Sequence, residues 1–235
     1  MKESGLIVKP RRAAAQSPNT RTAAQLLKEI GRALGKGKIP SVSQIARKKR
    51  DPFKILVSTM LSLRTKDEVT LEASRRLFSI ADSAESLSQA PVRVIERAIY
   101  PVGFYKTKAR AIKDVSKRLL KEYGGVVPDN INELLKFKGV GRKTATLVVT
   151  MGYGKPAICV DTHVHRVSNR LGIVETNTPE RTEFALMKVL PRAYWIGYNE
   201  LLVSFGQQIC KPISPLCSMC PLENVCPKVG VGKRR

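Results

Sequence analysis

Lys143 follows a glycine-rich turn in FKGVGRKTATL, residues 137–147. A lysine so placed has three chemical uses: it can neutralise a nucleotide phosphate, belong to a backbone clip on a nucleic-acid strand, or act as an amine nucleophile. The first use needs G-x-x-x-x-G-K-[ST] after a strand. Here Arg142 precedes the lysine, the first glycine is Gly139, and a helical pattern over 131–137 comes before it, so the P-loop reading fails on spacing and context. Helix, GVG, helix reads instead as a helix–hairpin–helix. Gly139 and Gly141 let the backbone turn tightly, and N–H groups at the start of the next helix can bind a phosphate oxygen without reading bases. The nucleophile needs a partner. Eighteen residues on, CVDTHVHR places Asp161 directly before a predicted helix. Asp161 could be an ordinary N-cap, or it could take a proton from Lys143 or stabilise a cationic sugar. A buried lysine beside positive helix-end charge is expected to have a lowered pKa, which favours the neutral amine that attack at carbon requires. Spacing alone does not bring the two residues together.

A second constellation lies near the C-terminus. Cys210, Cys217, Cys220 and Cys226 fall in C-x6-C-x2-C-x5-C. Zinc takes four thiolates tetrahedrally, usually from two short knuckles. Only the middle pair here is a knuckle, and the outer two reach in over longer loops, which suits a larger cluster. Spacing therefore favours iron–sulfur and leaves zinc open. Cys159 stands apart before Val160 and reads as a small core residue. The ligand loop, with Lys211, and the end VGVGKRR are basic, so the metal site is expected to organise a DNA-facing surface.

The whole chain leans the same way. Its 235 residues carry 42 Lys+Arg against 19 Asp+Glu, a net charge of +23. Such self-repulsion is relieved by an anionic partner. Nucleic acid is the first candidate and an anionic membrane surface the second. No apolar run approaches the ~20 residues of a membrane span, so no membrane partner is expected. The start has only Leu6–Val8 as an apolar run, so no secretory signal is expected, although its Arg/Ala/Ser content has some transit-peptide character. The localisation that follows is cytoplasmic and nucleoid-associated in a prokaryote, or nuclear or mitochondrial in a eukaryote.

The elements that must position these residues are helical. Residues 1–20 show no period and read as a basic, flexible tail or DNA-seeking arm. Leu26, Leu27, Ile30 and Leu34 recur at helical spacing, and RKKR, Arg47–Arg50, is either a solvated turn or a phosphate contact. Asp51-Pro52 reads as N-cap and first helical position of a nearly all-apolar central helix. Further helices are predicted at 67–79, 91–99, 106–123, 130–136, 142–151, 162–171, 179–189 and 195–208, separated by Gly and Pro. Alternating strand patterns are nearly absent, so the fold class is all-α, with short helices and short loops. VGFYKTKARAI, residues 102–112, echoes KGVGRKTATLV, residues 138–148; two such turns could hold one strand at two phosphates.

LLKFKGVGRKTATLVV, CVDTHVHRVSNRLG and the four-cysteine tail together resemble endonuclease III, the iron–sulfur branch of the helix–hairpin–helix DNA glycosylases. DPFKILVSTMLSLRTKD resembles that family's first core helix and following loop, and the likeness runs in order over residues 22–228. It implies a two-lobed all-α fold, with a six-helix barrel lobe at 45–155 and a cluster lobe from 21–44 and 156–235. DNA would bind across the cleft, and the four cysteines would hold a 4Fe–4S cluster. The implied reaction is excision of oxidised pyrimidines from duplex DNA by a monomeric glycosylase/lyase in base excision repair, through a Schiff base and β-elimination. Its partner would be double-stranded DNA carrying a damaged base or an abasic site. Lys143 would be the nucleophile and Asp161 the essential carboxylate. Gly139, Gly141, Arg142, Lys106 and Lys211 would face DNA, and His163 would help position the site, while His165 reads as structural. The chain departs from the family where Arg64 replaces the usual Gln and Phe104 the usual aliphatic wedge, which bears on lesion range and opposite-base preference. The competing readings are a mismatch-specific glycosylase without lyase activity, a non-catalytic iron–sulfur DNA-binding protein, and an RNA-binding zinc protein.

Overall fold

The computed structural model describes residues 22–35, 39–48 and 50–235; the predicted tail at 1–20 and Lys49 of the basic run lie outside them. In order the helices are α1 Ala23–Leu34, α2 Ser41–Lys48, α3 Pro52–Ser62, α4 Asp67–Ile80, α5 Ala84–Gln89, α6 Val92–Ile99, α7 Tyr105–Tyr123, α8 Ile131–Leu135, α9 Arg142–Leu147, α10 Thr162–Arg170, α11 Pro179–Val189 and α12 Trp195–Gln208. A π-helical turn, Val148–Gly152, prolongs α9, and short 3-10 turns stand at Arg192–Tyr194 and Cys217–Met219. No strand occurs among the described residues.

α3 begins as its sequence dictates. Asp51 is extended and accepts the N–H groups of Phe53 and Lys54, with Pro52 at the first helical position, where its missing N–H costs nothing. Every residue from Phe53 to Leu61 except Lys54 is buried, so this helix is apolar on all sides and stands inside the first core. Burying each of its large aliphatic side chains contributes about 1.5–3 kcal/mol. α2, α4, α7, α9 and the π turn pack against it. Leu77, Leu87, Ile95, Ile99, Ile112, Leu119, Leu134, Val140 and Val148 complete that core.

A second core gathers Leu26, Leu27 and Ile30 of α1, Val164 and Val167 of α10, Leu186 of α11, Tyr198, Leu202 and Phe205 of α12, and Leu222. Both chain ends therefore feed one cluster. Tyr198 is fully buried with its hydroxyl 2.9 Å from Ser168 Oγ, and burial pushes that phenol above its usual range. Polar contacts link one core to the other: Arg47 pairs with Glu200 at 2.6 Å, and α9 reaches α10 and α11 through its two basic residues.

Two helices in the structure are absent from the sequence reading. α2 is polar apart from Val42, Ile45 and Ala46, and its buried Ser41 and Ser43 carry no apolar signal. α5 is six residues of AESLSQ, which looks like a loop; Ser83 and Ser86 close a capping box on it. Predicted helix 142–151 is split, α-helical to Leu147 and π beyond. Thr150 Oγ1 donates back to Thr146 O at 2.9 Å, a side-chain bond that competes with the regular ladder.

α12 is pressed against α10 at Gly206, where a Cβ would stand 2.8 Å from His163 Nδ1 and 2.9 Å from Arg166 Nη2. Gly197 on the same helix has open space around it. Gly206→Ala should therefore destabilise the protein by about 1–3 kcal/mol through overpacking. Gly197→Ala should stabilise it by about 0.5–1 kcal/mol through helix propensity. Urea unfolding of the two variants beside wild type measures the difference, and equal effects would contradict this packing.

Candidate active site

The hairpin is built from α8 and α9. Asn130 caps α8 by accepting from Asn132 and Glu133. The chain then turns through Gly139, whose φ of +86° is a glycine conformation, while Val140 plugs into the first core at 5 % exposure. Gly141 is different: its φ is −91°, and no side chain caps α9 above it. Its value is an open approach to the first N–H groups of the helix, since nothing lies within 4 Å of a Cβ built there. α7 likewise begins without a side-chain cap, after Phe104, as the echo between the two segments suggests.

The structure brings Lys143 and Asp161 together. Nζ lies 3.2 Å from Asp161 Oδ2. The other carboxylate oxygen accepts the N–H groups of His163 and Val164, each at 2.9 Å. Asp161 is thus both the N-cap of α10 and the partner of the lysine. It is nearly buried, while the lysine side chain is 38 % exposed. The burial behind the expected loss of lysine charge is therefore partial, and a carboxylate stands against the amine.

Both side chains face a cleft of about 260 Å³ that Ser62, Lys66, Asp67, His163 and Gln207 also line. His163 is half-buried, with Nδ1 3.1 Å from Arg166 Nη2, and burial holds its pKa below the usual histidine value. It touches the cleft without touching Lys143. His165 is turned away and satisfied by Thr182 Oγ1 at 2.7 Å. Cys159 is fully buried beneath the site, 3.7 Å from Lys143 O.

Arg142 has a partner within the protein. Its Nε and Nη2 form a bidentate pair with Glu183 of α11 at 2.6 and 2.8 Å, and its guanidinium lies 5.2 Å from the Phe184 ring centre. Glu183 is 2 % exposed, so the guanidinium neutralises a buried charge through Nε and Nη2, while the Arg142 side chain stays 34 % exposed. Lys106 is exposed on α7. Lys211 is half-buried, its carbonyl accepting from Arg170 Nη1 at 2.7 Å. Arg64 and Phe104 come together at one rim of the cleft, guanidinium 5.8 Å from the ring centre.

The family model that describes HhH-GPD superfamily base excision DNA repair proteins matches residues 57–192. Endonuclease III of Thermotoga maritima is 50 % identical over 179 residues, which cover 76 % of this chain and 84 % of that protein. The chain belongs to the endonuclease III family. Endonuclease III of Bacillus subtilis is 38 % identical over 75 % of this chain and 81 % of its own length. A solved endonuclease III–DNA covalent intermediate, an estranged-adenine complex, superposes with a TM-score of 0.78 at 34 % identity, covering 87 % of this chain and 94 % of that one. As a member of this endonuclease III family, the protein is a base excision repair DNA glycosylase with abasic-site lyase activity.

The family's four-cysteine site is recognisable. Cys210, Cys217, Cys220 and Cys226 are free thiols around one cavity walled by Leu171, Phe205, Ile209 and Leu216. Among the described residues no group of three or more His, Cys, Asp or Glu is arranged to hold a metal ion. Four thiols on one apolar cavity are a donor set that fits a metal or iron–sulfur centre. Burial pushes Cys220 up to about 11 and raises Cys226, so a cationic core is what would hold them as thiolates. Arg170 braces the ligand loop through Lys211 O and Pro212 O at 2.7 and 2.8 Å and stands 3.7 Å from Cys210 Sγ.

Three site residues had no local sequence signal. Asp67 is anchored in the cleft by Ser41, whose N–H and hydroxyl donate at 3.2 and 2.6 Å, with Gln207 Nε2 3.4 Å away. Glu183 is the hidden partner of Arg142. Lys108 of α7 is half-buried with its ammonium among carbonyls of the α3 end, and burial brings its pKa down to about 8. The Arg142 pair makes an asymmetric prediction. Arg142→Met should cost about 3 kcal/mol, because Glu183 is left buried without its cation. Glu183→Gln should cost about 1 kcal/mol, because Arg142 still reaches water. Chemical denaturation checks the order, and the reverse order would contradict this account of the pair.

Proposed function

We infer that this enzyme excises oxidised pyrimidines from duplex DNA, with Lys143 as nucleophile and Asp161 as its proton acceptor. The observation that carries the reading is the 3.2 Å approach of these two side chains in a cleft lined from both cores. Duplex DNA is drawn in by the basic surface, and the unsubstituted start of α9 receives a backbone phosphate. A damaged base stacks and pairs poorly, so turning it out into the cleft costs less.

Asp161 Oδ2 takes a proton from Lys143. The neutral Nζ attacks C1′ of the sugar while the C1′–N bond breaks and its electron pair leaves with the base. The protonated Asp161 then lies beside the sugar, where it returns that proton to the ring oxygen as the ring opens. The amino-sugar ring opens to an imine between Nζ and C1′. Loss of a proton from C2′ then expels the 3′ phosphate, cutting the strand by β-elimination. His163 touches the cleft and, kept neutral by burial, adds no charge there. Cys210, Cys217, Cys220 and Cys226 would hold a 4Fe–4S cluster, which supplies a rigid brace for the basic ligand loop.

Borohydride trapping on a duplex carrying an oxidised thymine tests the assignment. A covalent protein–DNA band is expected with wild type and none with Lys143→Gln. Base release by wild type without a trapped band would rule out the imine. For the cysteines, Cys217→Ser should abolish visible absorbance and raise hydrogen exchange over residues 205–228. Retained absorbance would contradict the ligand set.

A further inference from the structure

Arg64 and Phe104 belong to separate turns, one after α3 and one before α7. Both have positive φ, 52° and 58°, a conformation that costs a non-glycine residue about 1 kcal/mol or more. Both side chains are exposed, Phe104 at 64 %. Two such residues side by side are held by something, and the structure shows what holds them. The two backbones touch: a Cβ on Gly103 would lie 2.7 Å from Arg64 O, and the Gly103 N–H donates to Thr65 Oγ1 at 3.2 Å. Beneath them sits Lys108, one turn into α7. Its Nζ donates to Leu61 O at 2.7 Å, Leu63 O at 2.5 Å and Thr65 Oγ1 at 3.2 Å. All three protons of the ammonium are engaged, two on carbonyls at the negative end of α3.

We propose that Lys108 is a positioning residue that locks the Arg64 and Phe104 turns into one rigid wedge, which enters the duplex as a unit when the lesion is turned out. This rests on the functional reading above. Thr65 and Lys66 line the cleft, so the wedge stands at the rim through which a base must pass. A planar guanidinium beside an exposed ring offers stacking and donors to the space a departing base leaves. Without the ammonium, the carbonyls of Leu61 and Leu63 lose their partner and the two turns are free to part. Lys108 acts through these two residues and touches no reacting atom.

The test compares a substrate that needs a wedge with one that does not. Lys108→Met and Lys108→Arg are assayed for base release from an oxidised-thymine duplex in a single turnover, and for β-elimination at an abasic site in a single strand. Lys108→Met should slow duplex release about tenfold or more and leave single-strand cleavage within about twofold. Lys108→Arg should restore most of the loss. In a Lys143→Gln background, 2-aminopurine opposite the lesion should brighten on binding, and the added Lys108→Met change should suppress that signal. Equal losses on both substrates, or no loss on either, would overturn the proposal. If Lys108→Met does not fold, Thr65→Val removes one acceptor and should give the same duplex-selective loss in milder form; its absence would also overturn the proposal. The fluorescence signal requires no chemistry, and single-strand cleavage requires no wedge. Wild type failing at the single strand alone therefore counts against the lyase reading, not against Lys108.

Discussion

A single carboxylate ties the helix scaffold to the chemistry. Asp161 spends one oxygen on the first N–H groups of α10 and the other on Lys143. The cap fixes where the carboxylate stands, because two backbone donors hold it against the end of a helix buried in the second core. The lysine comes from the first core, on α9, just past the hairpin. The helix that could grip a DNA phosphate and the helix that holds the carboxylate therefore meet at that one 3.2 Å contact. Arg142, next in sequence to Lys143, makes the second link through Glu183. Consecutive basic residues thus serve opposite ends: one pinned in a buried pair, the other left at the cleft with its amine accessible.

The polar character of this seam has a physical consequence. Each core is apolar and close-packed and resists deformation, while the surfaces between them are joined by ion pairs and amide contacts. A cleft bounded in this way can admit a charged, hydrated substrate without opening either core. The basic surface then acts at long range and the hairpin at contact. The turns at Arg64 and Phe104 lie at the rim, where strain in the backbone is tolerated because Lys108 and Gly103 over-determine it.

Much of this was readable in the sequence because it is written in local patterns. α11 and α12 begin and end where the apolar period and the prolines Pro179 and Pro191 place them, and Asp51-Pro52 starts α3 as capping chemistry requires. GVGRK and VDTH pointed to two side chains that the fold brings within 3.2 Å of each other. α2 and α5 escaped because each is short and buries only one large apolar side chain, Val42 or Leu87, among serine and alanine. Glu183 and Lys108 escaped for another reason: their partners stand 41 and 47 residues away in the chain, and no periodicity records a contact at that range. The Arg142 partner escaped for the same cause: its position in a hairpin suggested a phosphate, and only the fold reveals the buried acid beside it. The spacing of the four cysteines suggested that they converge, and the fold brings all four to one apolar cavity.

Asp161→Asn measures the central interaction most directly. The amide keeps an oxygen for the α10 cap and removes the base beside Lys143. Single-turnover release of an oxidised thymine from duplex DNA should fall by a factor on the order of a hundred or more, while the melting temperature stays within a few degrees of wild type, about the span of a 1 kcal/mol change. Release near the wild-type rate in a folded Asp161→Asn protein would contradict the account, because it would show that the contact joining the two cores is structural only.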